Sequence, residues 1–284
     1  GFERGSRQGA REALARFWRA VSGAARFSPL QRGPLDVLMG RWSLEGSPAF
    51  LAMDLVSRLW SPYDLNPFGV NPLRDILERS LDFDALSKSD IKLFITATNV
   101  RTGRGKVFRN AELSPDVLLA SACLPNMFQA VEVDGEYYWD GGYSGNPTMT
   151  PLVRDCNSDD VILVAVNPVE RPDRPTGARE ILNRINEISF NAGLLKELRM
   201  IALLRQVADV GNCEGARWAS KRIHLVRNDL ATVLDSSSKM SAEWAFLEML
   251  HKEGRRVAES FLAQDGANLG KRSSIDLNVL LEGV

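Results

Sequence analysis

The residues best suited to chemistry in this chain are Asp140, Gly141 and Gly142, which follow directly on the run Val131 to Trp139. An aspartate at the end of a strand sits at the rim of a sheet, where ligands bind in open α/β folds. A carboxylate there can accept a proton. The two glycines behind it carry no Cβ, so backbone and substrate can approach closely. Taken alone, Asp-Gly-Gly also reads as a simple turn, because aspartate and glycine are common turn formers.

The neighbourhood changes that reading. Before the motif stands Ala120-Ser121-Ala122-Cys123-Leu124-Pro125-Asn126-Met127-Phe128, and after it Tyr143-Ser144-Gly145-Asn146-Pro147. This ordered run resembles the second half of the patatin-like phospholipase family, in which an Ala-Ser-x-x-x-Pro-x-x-Phe segment precedes a hairpin and Asp-Gly-Gly supplies a catalytic aspartate. The resemblance is sharpest over Leu93 to Leu152. The helix Gly9 to Arg26 also resembles the one that follows the nucleophile turn in bacterial members.

The resemblance implies a Ser–Asp dyad, with Asp140 accepting the proton of a serine set on a Gly-x-Ser-x-Gly turn. The serine oxygen would attack an ester carbonyl to form an acyl-enzyme, which water then releases. A glycine-rich loop would supply oxyanion donors, each contributing ~3 kcal/mol in other hydrolases. Trp139 and Tyr138 are expected to desolvate the carboxylate and raise its basicity.

The sequence departs from that pattern in one respect. No Gly-x-Ser-x-Gly and no Gly-Gly-Gly occur in its 284 residues. Gly142-Tyr143-Ser144-Gly145 lacks the spacing, and Gly5-Ser6 is not such a turn. The expectation is that strand, oxyanion loop and serine turn lie upstream of Gly1, so that the chain is part of a larger bacterial protein; a removed tag is the other account of a first residue that is not methionine. As given, the chain is expected to be inactive by this mechanism.

Other candidates read more simply. Ser121 is expected to bond local backbone in a helix. Asn146-Pro147 is expected to cap the helix leaving the site. His224 alternates with Ile223 and Leu225 on a strand and should face a neighbouring element, while His251 sits with Lys252 and Glu253 on a solvated helix face.

The elements that must position Asp140 follow from periodicity. Gly9 to Arg26 reads as an amphipathic helix. Phe27 to Asn71 is punctuated by Pro29, Pro34, Pro48, Pro62 and Pro67 and contains a dense apolar helix, Phe50 to Trp60. That helix reads first as core and otherwise as a lid or bilayer-contacting element. Asn71-Pro72 and Ser114-Pro115 cap helices. Ile91 to Val100, Val161 to Val166 and Arg222 to Arg227 read as strands. Asp134-Gly135 joins a hairpin. A long helix carries Ile181, Ile185, Ile188, Ala192, Leu195 and Leu198 as its stripe, and Ser241 to Leu262 forms the last. Strands separated by helices predict an α/β layered domain with a mostly parallel central sheet flanked by helices. Residues 1–264 are expected to form the acyl hydrolase domain, and 265–284 a loosely held tail. Loss of an inner strand would leave an unpaired edge and an apolar face, an aggregation hazard.

Lys and Arg number 35 against 36 Asp and Glu, with no basic run, which argues against nucleic acid as a partner. Cys123, Cys156 and Cys213 are odd in number and far apart, and only two histidines occur, so neither a disulfide framework nor a metal cage is expected. No cofactor is expected. No apolar stretch reaches the length of a bilayer span. The expected partner is a phospholipid or other acyl ester, and the expected setting is cytoplasmic, with peripheral membrane contact. The competing expectation is a non-catalytic lipid-binding module that keeps the fold. A third reading, a metal at Asp140, lacks clustered ligands.

Overall fold

A computed structural model describes every residue except Gly1, Pro29, Glu45, 208–213, Asp229, 231–233, Asp235 and 281–284. Cys213 and Pro29 therefore lie outside the described residues. The chain divides into two compact units, one of Gly1–Asp140 with Leu234–His251, the other of Gly141–Val233 with Lys252–Val284.

The first unit holds a four-stranded sheet of order β2-β1-β4-β3, with β1 at Phe94–Asn99, β2 at Gly105–Arg109, β3 at Val131–Val133 and β4 at Glu136–Asp140. Every pairing in it is antiparallel. For β1–β2 and β3–β4 the connections explain why. β3 and β4 are joined by Asp134 and Gly135 at φ 53 and 78, the doubly positive turn that Asp-Gly favours. β1 turns into β2 through Gly103 at φ 67, with Asn99 Oδ1 accepting from the Thr102 N–H at 2.9 Å. Links this short allow only antiparallel neighbours.

The expected strand Ile91 to Val100 is therefore trimmed to Phe94–Asn99, and its partner β2 was not foreseen. Lys106-Val107-Phe108-Arg109 is short, charged at both ends and bounded by glycine, so it carries no strand signal of its own. A mostly parallel central sheet is not what the described strands form. Only β5 (Asp160–Ala165) and β6 (Arg222–Arg227), in the second unit, pair in parallel. The α/β class stands; the mostly parallel central sheet does not.

The expected caps are present in the first unit. Asn71 Oδ1 accepts from the Leu73 N–H at 3.1 Å ahead of the helix Pro72–Ser80, and Ser114 Oγ accepts from Val117 N–H at 3.3 Å ahead of Pro115–Ser121. Val117 and Ala120 of the latter helix pack on Ala97, Phe108 and Tyr138 of the sheet. The N-terminal helix, Phe2–Ala24, is interrupted at Gly5 and Ser6, the latter at φ 51 and ψ −144. The segment Leu234–His251 is tied to this unit by polar bonds. Arg32 lies 4.0 Å over the Trp42 ring and forks onto Glu243 at 2.7–3.0 Å, and Ser237 Oγ accepts from Leu44 N–H at 2.9 Å.

The apolar helix Pro48–Leu59 corrects the core reading. Phe50 is buried, but Leu51, Leu55 and Leu59 are exposed. A run that is apolar on most sides does not announce which side faces inward.

In the second unit the core gathers Val161 and Leu163 of β5, Ile223 of β6, and Leu194, Leu198 and Ile201 of the helix Ala178–Val207. The stripe expected for that helix holds only toward its C-terminal end. Ile181, Ile185 and Ile188 are exposed, while Glu187 and Asn191 are buried. The inversion has a cause. Glu187 takes a forked bond from Arg171 at 2.6 and 3.1 Å and a third from Arg184 at 3.2 Å, and Asn191 Nδ2 donates to Pro168 O at 2.8 Å. Satisfied polar groups can be buried at little cost. Described residues after Asp265 pack into the second unit. Leu277 enters the core, and Ser273 Oγ accepts from Ile223 N–H at 3.0 Å.

Candidate active site

Asp140 is the last residue of β4, and three main-chain links hold it. It pairs opposite Ala97 of β1, its N–H donates to Cys123 O at 2.9 Å, and its carbonyl oxygen accepts from Thr98 Oγ1 at 2.8 Å. Thr98 was not singled out from sequence, and Cys123, although part of the Ala120–Phe128 run, was not read as an anchor; each acts through tertiary contact. Asp140 itself is half-buried.

Alternation along β4 places Tyr138 on the same face as Asp140 and Trp139 on the other. Tyr138 is buried, edge-on to Phe108 with ring centroids 5.6 Å apart. The apolar neighbour of Asp140 on its own strand face is therefore Tyr138.

Cys123 sits beside Asp140. Burial, and then the Asp140 charge, push its thiol up to about 11, and Sγ donates to Gln129 O at 3.2 Å. A protonated, buried thiol is no nucleophile. Cys156 is likewise a free thiol. Ser121 Oγ donates to Leu118 O at 2.8 Å, the local helix bond expected of it.

In the second unit, Gly141–Tyr143 form a 3-10 turn, and Gly141 O accepts from the N–H groups of Ser144 and Gly145 at 3.1 and 3.0 Å. Ser144 Oγ also donates to Gly141 O, at 3.2 Å. Asn146-Pro147 does not cap a helix. Its peptide bond is cis, and the helix begins at Thr150 with Pro151 in its first turn and Met149, which makes no side-chain cap bond, before it.

Two unforeseen residues of the helix Ala178–Val207 support this loop. Gly193 lies against it: a Cβ there would stand 3.4 Å from Asn146 N and 3.5 Å from Gly145 Cα. An isolated glycine inside a helical pattern was the signal in the sequence. Glu197 accepts from Met149 N–H at 2.9 Å; burial pushes its carboxyl up, and that hydrogen bond opposes the shift.

His224 is buried on β6. One ring nitrogen, Nε2, lies 2.9 Å from Asp160 Oδ1 on the neighbouring strand, as its alternation suggested. His251 is exposed. Among the described residues, no three His, Cys, Asp or Glu side chains converge as metal ligands, and no helix is long and apolar enough to cross a membrane.

The profile of the patatin-like phospholipase family matches residues 6–153, just over half of the chain. The chain belongs to the patatin-like phospholipase family. The match runs from the interrupted N-terminal helix through the four-stranded sheet and the Asp140-Gly141-Gly142 turn to Val153. At family level this is a lipid acyl hydrolase, with lipid as its substrate class. No curated protein matches the chain. β5, β6 and the helix carrying Gly193 and Glu197 lie beyond the matched segment. The patatin-like region thus contains the carboxylate and its β1 and Cys123 anchors, while the two supports of the following loop come from outside it.

Proposed function

We propose that the protein is a lipid acyl hydrolase, of phospholipase A or esterase type, in which Asp140 is the proton acceptor of a Ser–Asp dyad. The observation that carries this reading is the fixed main chain of Asp140, bonded on both its N–H and its C=O and followed at once by two glycines. A carboxylate whose backbone cannot swing is pre-positioned for proton transfer. In the forward step the Asp140 carboxylate takes the serine proton as the serine oxygen bonds to the ester carbonyl carbon. The alcohol portion then leaves with that proton. Water, deprotonated by the same carboxylate, releases the fatty acid and restores the serine.

No Gly-x-Ser-x-Gly occurs in the 284 residues, so this reading assigns the serine to a residue outside them. The test is made on the upstream-extended polypeptide. A fluorophosphonate should label one serine, and Asp140→Asn should abolish ester turnover while leaving the thermal transition in place. Retained turnover in Asp140→Asn removes the assignment.

A second reading is a lipid-binding module that keeps the family fold without its nucleophile. The outward apolar helix Pro48–Leu59 favours it. Absence of fluorophosphonate labelling in the extended polypeptide, with lipid binding retained, decides for this second reading.

A further inference from the structure

The helix Pro48–Leu59 presents its apolar side to solvent. Leu51, Leu55 and Leu59 fall at i, i+4 and i+8, one stripe of the helix, and Leu55 and Leu59 are 61% and 67% exposed. Every exposed residue of this helix whose side chain is described is apolar, whereas its polar Asp54 and Ser57 are half-buried. This reverses the usual amphipathic arrangement. Past the helix, Trp60, Tyr63 and Leu65 are also exposed, and Phe68 is 91% exposed. The one exposed carboxylate described in this stretch, Asp64, is engaged in a capping box, accepting from Ser61 N–H at 2.9 Å and Ser61 Oγ at 2.6 Å.

The apolar surface is wired to the candidate base within the same unit. The Tyr63 hydroxyl accepts from Ala130 N–H at 3.3 Å, and Gln129 Nε2 donates to Asn66 O at 2.7 Å. Gln129 O in turn accepts the Cys123 thiol, and Cys123 O accepts the N–H of Asp140. Four consecutive hydrogen-bonded or adjacent positions lead from Asn66 to Asp140.

We propose that Leu51, Leu55, Leu59, Trp60 and Phe68 form a docking face for a phospholipid surface. Exposed apolar side chains concentrated in one segment mark either a membrane or a protein contact. Three features select lipid: a leucine stripe, no unengaged carboxylate described on the face, and Trp60, whose ring combines an apolar body with a polar tip suited to the headgroup level. The proposal rests on the hydrolase reading in one respect, that the ester to be cut lies in the surface on which this face would sit. Such a helix lies in the interfacial plane and does not span the bilayer.

The experiment is flotation of the 284-residue chain with phosphatidylcholine vesicles, comparing the unmodified protein with Leu51→Ser/Leu55→Ser, Phe68→Ser and Asp140→Asn, each checked by thermal unfolding. The expected result is that the unmodified chain and Asp140→Asn float with the vesicles. The double variant should keep its unfolding midpoint and bind roughly tenfold or more weakly, given the burial lost from two leucines. Should the double variant unfold, Phe68→Ser decides, since that side chain has almost no contacts to lose: weakened flotation supports the proposal and unchanged flotation overturns it. Three further outcomes overturn it: no flotation of the unmodified chain, undiminished flotation of both surface variants, or a concentration-dependent dimer that Leu51→Ser/Leu55→Ser dissolves. Flotation that depends on these residues, together with ester turnover retained by Asp140→Asn in the upstream-extended polypeptide, leaves the docking face standing and removes only the catalytic reading.

Discussion

Thr98 Oγ1 donates to the main-chain oxygen of Asp140 at 2.8 Å, one position along from the pair Ala97↔Asp140. Thr98 is 95% buried, with 5% of its surface exposed, so this carbonyl is satisfied by protein rather than by bulk water. Thr98→Val keeps the shape and removes the donor. It should cost about 1 kcal/mol of stability, more if the carbonyl is left unbonded. In the intact enzyme kcat should fall with KM little changed, because the carboxylate and not the substrate site is displaced. Thr98→Ser should restore both. Urea unfolding and steady-state ester hydrolysis measure the two effects.

Gly193 offers a size-graded test of the loop that follows Asp140. A methyl group there would meet Asn146 N and Gly145 Cα at 3.4–3.5 Å, ordinary van der Waals contact. Gly193→Ala should therefore fold, and should gain up to about 1 kcal/mol from helix propensity. Gly193→Val adds branches with nowhere to go and should lower the melting temperature and displace the loop. Equal melting temperatures for the alanine and valine forms would contradict the close approach.

Asp160 predicts a pH dependence of stability. Arg222, foremost, then His224 and the Gly270 N–H hold its carboxyl well below the usual carboxylate range. Its folded-state value is depressed, so its contribution is complete above the unfolded value of ~4 and is lost as pH falls below it. Asp160→Asn should be less stable than the unmodified chain by a constant margin near neutral pH, and that margin should shrink below about pH 4. Chemical denaturation across that range measures it. A margin that widened toward acid would show that the carboxylate is not stabilising.

β5 has one buried and one bare side. Val161 and Leu163 are in the core, while Ile162 and Val164 are 49% and 71% exposed, and β5 pairs only with β6 among the described strands. A two-stranded parallel pair with an apolar face, whose β5 edge is paired with no other described strand, is prone to associate. Ile162→Thr with Val164→Thr keeps the β-branched shape and makes the face polar. Light scattering on heating should fall, with the unfolding midpoint nearly unchanged.

Local chemistry was legible where a short stretch decides the outcome. Asn71-Pro72 and Ser114-Pro115 start helices because the cap bond and the proline are both within one turn. Asp134-Gly135 makes its hairpin because both residues tolerate positive φ. β6 falls at Arg222–Arg227 as its apolar alternation indicated.

Partners and faces were not legible in the same way. The run around Phe94–Asn99 looked like a parallel strand because its pairing with β2 and β4 depends on segments distant in sequence and, for β2, on a stretch without a pattern. The helices Pro48–Leu59 and Ala178–Val207 showed their apolar residues but not which would be bare, since that depends on what packs beside them: Arg171 and Arg184 draw Glu187 inward and leave Ile185 outside. By itself the sequence determined the family, the aspartate with its glycine pair, and the local caps and turns, all of which rest on contacts within a few residues. Only the tertiary structure decided that Asp140 is gripped by Thr98 and Cys123, that Gly193 and Glu197 brace the loop behind it, and that a leucine stripe faces outward. Those facts rest on contacts between residues far apart in the chain, whose identities carry no local trace of their partners.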